Sequence, residues 1–365
     1  MTDPVLVVNA GSSSLKLSVV AATSDTAIAA TTIEVWDGDD VDAIGSFVQG
    51  QRIGAVGHRV VHGGARFTEP VVLDDTSREA IASLTPLAPL HQPRALAGID
   101  AARQVLPTVT AVACFDTAFH ASLPSAAATY AIPSAWRQRW EIRRFGFHGL
   151  SHRWAARRAA ELLQRPIASL ATVTCHLGAG ASLCAVDGGA SVDTTMGFTP
   201  LEGLVMATRS GTVDPGLVIW LLRKGLSIDD VSDGLEQRGG LLALAGTGDM
   251  RELLADRNRG EGAACAAFDV YVHRLCREAA GMTAALGRLD VLVFTGGVGE
   301  HAPEVRAAVA ARLAYLGVAV DSTANETAVA DAVISAADAS VATLVVAARE
   351  DLEIAGQVRQ VLTPR

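Results

Sequence analysis

Lysine is almost missing from this sequence: Lys16 and Lys224 are the only two, so nearly all positive charge is arginine. Acidic residues outnumber basic ones, 39 to 30, for a net charge of −9. That balance argues against a nucleic-acid binder, which needs a cationic surface to displace counterions. No apolar run is long enough to cross a bilayer; the densest, residues 217–222, runs straight into Arg223 and Lys224. No membrane partner is expected. The first residues carry Asp3 rather than a basic cluster, and Asn9, Ser12, Ser14 and Lys16 break their apolar run, unlike a signal peptide. The five cysteines form no CxxC pair, and four sit in apolar strand or helix patterns. They read as buried thiols of a reducing compartment, so a cytoplasmic location is expected.

What is present is a chain of 365 residues, half of them hydrophobic, which is ample for two domains. Residues 5–8 and 15–20 read as strands joined by a small-residue turn. A helix is predicted from Ser151 to about Leu163, with Pro166 beyond it. Asp214 reads as an N-cap with Pro215 at the first helical position, and Gly225 ends that helix. Residues 263–286 repeat apolar side chains at helical spacing through Phe268, Tyr271, Leu275 and Ala279. A short buried strand, 291–294, leads into the glycine-rich Thr295–Gly299. Alternation of this kind predicts an α/β chain of layered domains.

An internal repeat adds to this. Residues 7–15 (VVNAGSSSL) and 174–182 (TCHLGAGAS) both read as strand, polar residue, apolar residue, glycine, small residues, strand. A duplicated glycine-rich hairpin suggests two similar domains, each presenting a backbone loop. Such loops let N–H groups approach an anion without side-chain obstruction. There are three, at 11–14, 178–181 and 296–299, each straight after an apolar strand. No GxxxxGK[ST] occurs, and Gly178-Ala179-Gly180 lacks the third glycine of a dinucleotide fingerprint. The phosphate cradle must be of another kind.

The polar residues cluster in small-residue segments. His58, Arg59 and His62 stand beside Gly63 and Gly64; Asp116 follows an apolar strand; His148 and His152 precede a helix; Arg209 lies in ATRSG. His58/His62 and His148/His152 have the four-residue spacing of helical metal ligands. However, Val60 and Val61 favour strand, Gly149 weakens a helix, and no HExxH glutamate is present, so zinc is disfavoured.

Nine segments then carry a resemblance. They are VLVVNAGSSSLK (5–16), GHRVVHGG (57–64), PLAPLHQP (86–93), FDTAFH (115–120), FGFHGLSH (145–152), CHLGAGAS (175–182), TTMGFTPLEG (194–203), RSGTVDPG (209–216) and FTGGVGEHAPEVR (294–306). In this order they resemble the acetate kinase (acetokinase) family over nearly the whole chain. The resemblance implies two duplicated RNase H-like α/β domains of the actin/Hsp70 type with a nucleotide cleft between them. The expected domains are 1–120 plus 351–365, with the C-terminal helix returning to the first domain, and 121–350, the nucleotide-binding domain. It also implies a homodimer that uses ATP/ADP with Mg²⁺, which Mn²⁺ can replace, and makes acetyl phosphate from acetate.

Residue by residue, the resemblance assigns Arg59 and Arg209 to the carboxylate and the transferring phosphoryl, His148 to the transition state, and His91 to a supporting role. Asn9, Asp116 and Glu350 match positions for magnesium–phosphate binding and catalysis; Arg349 departs from the family's usual residue beside Glu350. Val61, Leu90, Phe147 and Pro200 match the pocket for the acetate methyl. The nucleotide is assigned to Lys16, Ser12 and Ser14, to His176, Leu177, Gly178, Ala179 and Gly180, and to Asp249, Met250 and Arg251. Gly296, Gly297, Val298, Gly299 and His301 complete that set. Ala179 and His301 replace family asparagines, each removing a hydrogen bond worth about 0.5–1.5 kcal/mol. The alternatives are a propionate or general short-chain acyl kinase, since one methylene is discriminated by only about 1–3 kcal/mol. A sugar kinase and an actin- or Hsp70-like switch are disfavoured by the two arginines and His148.

Overall fold

The computed structural model describes residues 3–11, 14–36, 38 and 41–363. They form two compact units. The first comprises Met1–Ala121, Phe147–Trp154 and Arg349–Arg365; the second comprises Ser122–Gly146 and Ala155–Ala348. Phe147–Trp154 and Glu350 were expected in the second domain but group with the first. The Gly149 amide donates to the Asp116 carbonyl at 3.0 Å, and the Glu350–Leu362 helix packs against the central strands of the first sheet.

The first unit holds strands β1 (Val5–Ala10), β2 (Leu15–Val20), β3 (Ala27–Ile33), β4 (Ala55–Val60), β5 (Val71–Val72) and β6 (Ala111–Phe115), in the order β3-β2-β1-β4-β6-β5. The second holds β7 (Ala171–Leu177), β8 (Ala181–Asp187), β9 (Ala190–Thr194), β10 (Val291–Thr295), β11 (Ala332–Val333) and β12 (Ala342–Val345). Its order, β9-β8-β7-β10-β12-β11, is the same sequence of roles. In each sheet an antiparallel meander is followed by two parallel neighbours and an antiparallel edge. The repeat read from residues 7–15 and 174–182 is therefore the first hairpin of each sheet. Val5, Leu6, Val7 and Val8 are buried on both faces of β1, and Val291, Leu292, Val293 and Phe294 likewise on β10. This is the continuous apolar pattern that covered parallel strands require.

The helices follow the sequence closely. Gly262–Leu286 buries Phe268, Tyr271, Leu275 and Ala279 against the second sheet. Pro215–Arg223 starts at Asp214, whose carboxylate accepts from the Gly216 amide at 2.8 Å. None of its residues is buried, although Leu217, Ile219, Trp220 and Leu222 are apolar. The helix predicted from Ser151 begins two residues earlier, at Gly149, and includes His152. Glycine is tolerated there because the first turn has no preceding turn to pack against. Four of the five cysteines are buried thiols and Cys265 is partly so; none forms a disulfide.

Three histidines of the first unit are held neutral by burial. Burial pulls His58 down to about 3 and His62 and His120 to about 4, with the Phe147 carbonyl partly opposing the shift at His120. The unfolded chain takes up these protons below about 6.5, so the stability they carry is complete above that pH and lost as pH falls towards 4. Each costs about 2 kcal/mol by pH 5. Thermal melts at pH 7 and pH 5 are expected to show a steep loss for the wild type and a smaller one for His58→Leu. Equal losses in both proteins would contradict this.

Candidate active site

Three parallel neighbours, β1, β4 and β6, deliver Asn9, Arg59 and Asp116 to one edge of the first sheet, because Val8 pairs with His58 and Val60 with Phe115. Carboxyl ends of parallel strands are where open α/β sheets place ligands. The Arg59 guanidinium grips the Asp116 carboxylate, Nη2 at 2.7 Å and Nε at 3.2 Å from both oxygens. Its Nη1 donates to Asn9 Oδ1 at 3.2 Å and lies 3.6 Å from the Glu350 carboxylate. Asn9 Nδ2 in turn donates to Glu350 Oε2 at 3.0 Å. Four residues up to 341 positions apart thus form one hydrogen-bonded cluster.

Asp116 is 1% exposed. Burial pushes its carboxyl up, to about 6, against the pull of Arg59. The bidentate contact keeps it ionised at neutral pH. Burial works against the Arg59 charge too, but Asp116 and Glu350 outweigh it and hold its pKa above the ordinary value.

The same unit contributes His148, whose φ of +56° lies in the left-handed region. Such backbone is held only where the surroundings over-determine it. Here they do: the next residue, Gly149, is pinned to the Asp116 carbonyl, and the His152 amide donates to the His148 carbonyl at 2.9 Å. The rings of His148 and His152 are 6.5 Å apart. Phe147 is buried edge-on to His62, with centroids 5.4 Å apart, and Val61 is buried. Leu90 is 46% exposed, and His91 sits at the head of the Gln92–Val105 helix.

The second unit carries Arg209 and Pro200. Arg209 is half-buried, yet among the described residues its guanidinium reaches only the Pro200 carbonyl at 3.5 Å and the Met206 sulfur at 4.0 Å. No salt bridge ties it to a carboxylate among the described residues. Burial lowers its pKa, with Glu236 opposing from a distance. A half-buried guanidinium with two long contacts to neutral acceptors has donors to spare for an anion. The loop around it is braced by residues that motif reading missed. Arg144 donates to the carbonyls of Thr194, Thr195 and Met196 and to Glu202, which also accepts from Tyr130. The only sequence signal was Glu202, inside the 194–203 segment.

The nucleotide assignments divide between the units. Lys16 is exposed on β2, paired in register with Asn9 on β1. The Ser14 carbonyl closes the first turn by accepting from Gly11 at 2.8 Å; Ser12 lies outside the described residues. In the second unit His176 and Leu177 end β7, and Gly178, Ala179 and Gly180 turn into β8 with Gly178 donating to Gly180 at 3.0 Å. Thr295 pairs with His176, so this turn and the one after β10 are neighbours. The latter is a correction: Gly296, Gly297, Val298, Gly299 and His301 lie within a short helix, Gly296–His301, rather than an open turn. Asp249 and Arg251 are given to each other. Asp249 caps the Met250–Asn258 helix and accepts from the Arg251 side chain at 2.5–3.2 Å. That hydrogen bond holds Asp249 down to about 2.

The sequence profile of the Acetokinase family matches residues 39–356. The chain belongs to this family. A relative called acetate kinase from Leifsonia xyli subsp. xyli is 46% identical over 98% of this chain and 98% of its own length. The crystal structure of Porphyromonas gingivalis acetate kinase superposes with a TM-score of 0.92 at 33% identity, covering 99% of this chain and all of that one. A propionate kinase from Francisella tularensis subsp. tularensis does so at 0.90 and 33% identity, covering 97% and 98%. Family membership makes the protein a kinase and gives the duplicated α/β architecture its place among acetate kinases. It leaves the choice between two- and three-carbon acids to the residues.

Proposed function

We propose that the protein transfers the γ-phosphoryl group of ATP reversibly to acetate, giving acetyl phosphate and ADP. The observation that carries this is Arg209, a half-buried guanidinium with no ion-pair partner among the described residues. Acetate is already ionised at neutral pH, so it needs no general base; it needs relief from repulsion as it approaches a polyanion. Arg209 supplies that relief, and Arg59, held square by Asp116 and Asn9, supplies a second guanidinium. A carboxylate oxygen attacks phosphorus in line, its O–P bond forming as the bond to the β-phosphate oxygen breaks and ADP departs with the electron pair. His148 donates to the equatorial oxygens, with His91 in support. No covalent enzyme intermediate is needed. Val61 and Phe147, both buried and bulky, favour acetate over longer acids, with Leu90 and Pro200 completing the apolar set.

Asn9, Asp116 and Glu350 present one amide and two carboxylates around a single guanidinium. These are hard oxygen donors, and Mg²⁺ takes few such ligands from protein, keeping waters and phosphate oxygens for the rest. The set fits Mg²⁺, which when bound neutralises phosphate charge. The glycine turns, Lys16 and Ser14 hold the nucleotide. We place the protein in the cytoplasm, on five cysteines that form no disulfide; among the described residues no helix is long and apolar enough to cross a membrane. The homodimer expected of the family is supported by the outward apolar side chains of Pro215–Arg223, since an exposed apolar stripe marks an interaction surface.

ADP release in a coupled assay tests the reading. It is expected to require both acetate and Mg²⁺, to stop on addition of EDTA, and to return with excess Mg²⁺. ADP release at the same rate without any carboxylate would instead mark a nucleotide switch.

A further inference from the structure

The short helix after β10 is locked at both ends by side chains that none of the assigned roles uses. At its start, one oxygen of Glu300, Oε1, accepts from the Gly296 amide and from the Ala348 amide, each at 3.0 Å. Gly296 has a φ of +77°, and a Cβ there would stand 2.8 Å from the Leu177 carbonyl oxygen. The start of this helix therefore lies hard against the end of β7, where the glycine turn into β8 begins. Ala348 is two residues before Glu350 in the chain.

At the other end, Arg306 is 1% exposed. It donates to the carbonyls of Gly299 at 2.9 Å and Glu300 at 2.8 Å, and to Asn325 Oδ1 at 2.8 Å and the Asn325 carbonyl at 2.5 Å. Asn325 is itself tied to the Pro303 carbonyl at 2.9 Å. A buried guanidinium satisfied by neutral carbonyls alone is expensive to keep, and burial lowers its pKa accordingly. A hydrophobic residue would serve the core better. What the arginine does provide is closure of the last carbonyls of a helix too short to hold its own shape.

We propose that Glu300, braced by Arg306 and Asn325, is a positioning residue for the nucleotide: it fixes the Gly296–Gly299 backbone and the segment leading to Glu350 in one arrangement before ATP binds. The proposal rests on the reading that this glycine segment holds the nucleotide. Preorganised donors lose less freedom on binding, so unlocking them weakens nucleotide binding and leaves the acid untouched.

The test is calorimetric titration of MgADP into the wild type, Glu300→Ala and Glu300→Gln, with the acetate KM measured in parallel. Both hydrogen bonds go to one oxygen, so glutamine can keep them while alanine loses both. Glu300→Ala is expected to raise the Kd for MgADP at least about ten-fold, with the acetate KM within about two-fold and Glu300→Gln near wild type. Equal Kd values for alanine and wild type would overturn the proposal. So would a glutamine variant as weak as alanine, which would mean that the charge acts directly. A wild type that binds no MgADP would sink the nucleotide reading itself, a result distinct from either.

Discussion

Arg209→Ala is expected to lower kcat by a factor of about 10³ or more, the range seen when a guanidinium is removed from a phosphoryl-transfer site. It should do so without lowering the melting temperature. The wild-type side chain is desolvated, with no ion pair among the described residues and two long contacts, so its removal relieves a cost rather than breaking a support. Arg59→Ala should abolish turnover to a similar extent with the opposite effect on stability. It strands the Asp116 carboxylate, 1% exposed, and removing one member of such a pair costs about 3–5 kcal/mol. Kinetics and thermal melts on the two variants check both halves. Turnover near wild type in either would end the charge-neutralising role, and equal destabilisation by the two would end the distinction between a paired and an unpaired arginine.

Gly149→Ala is the second large effect. A Cβ at this position would stand 2.1 Å from the Asp116 carbonyl oxygen and 2.8 Å from Phe119 Cβ. Neither is the far end of a flexible side chain, so backbone must move. The moving pieces are the carbonyl of Asp116 and the residue just before, His148 in its left-handed conformation. Overpacking of this kind costs about 1–3 kcal/mol. A shift of about 1 Å in reacting groups costs about a hundred-fold in rate. The expected outcome is a folded, less stable protein with kcat reduced by about that factor. Rates within two-fold of wild type, at about the same melting temperature, would show that the 147–149 segment does not position the chemistry.

Much of this arrangement was legible in the sequence because the chemistry sits at strand ends. An apolar run that stops at Asn9 or just before Asp116 announces its own terminus, and the 7–15 and 174–182 repeat announced the duplicated sheets. Local spacing could not show partners. That Glu350 meets Asn9, 341 positions away, and Arg59 beside it is a product of the C-terminal helix packing on β1, β4 and β6. Asp249 and Arg251 read as nucleotide contacts; that they also pair with each other, through two-residue spacing at a helix start, did not show in the motif. Glu300 and Arg306 stand inside the 294–306 segment, but their role gave no signal, because their work is to hold backbone atoms, which sequence does not display. The 215–223 stretch misleads in the other direction. It is the densest apolar run of the sequence, yet none of its residues is buried.

The measurement that bears most directly on the central claim is trapping of the product. Purified protein is incubated with Mg-ATP and acetate, propionate, butyrate or glucose, and hydroxylamine converts any acyl phosphate to the hydroxamate. A strong signal with acetate, a weaker one with propionate and little with butyrate is the predicted result. No hydroxamate from any acid, with the protein folded and ATP present, would contradict it.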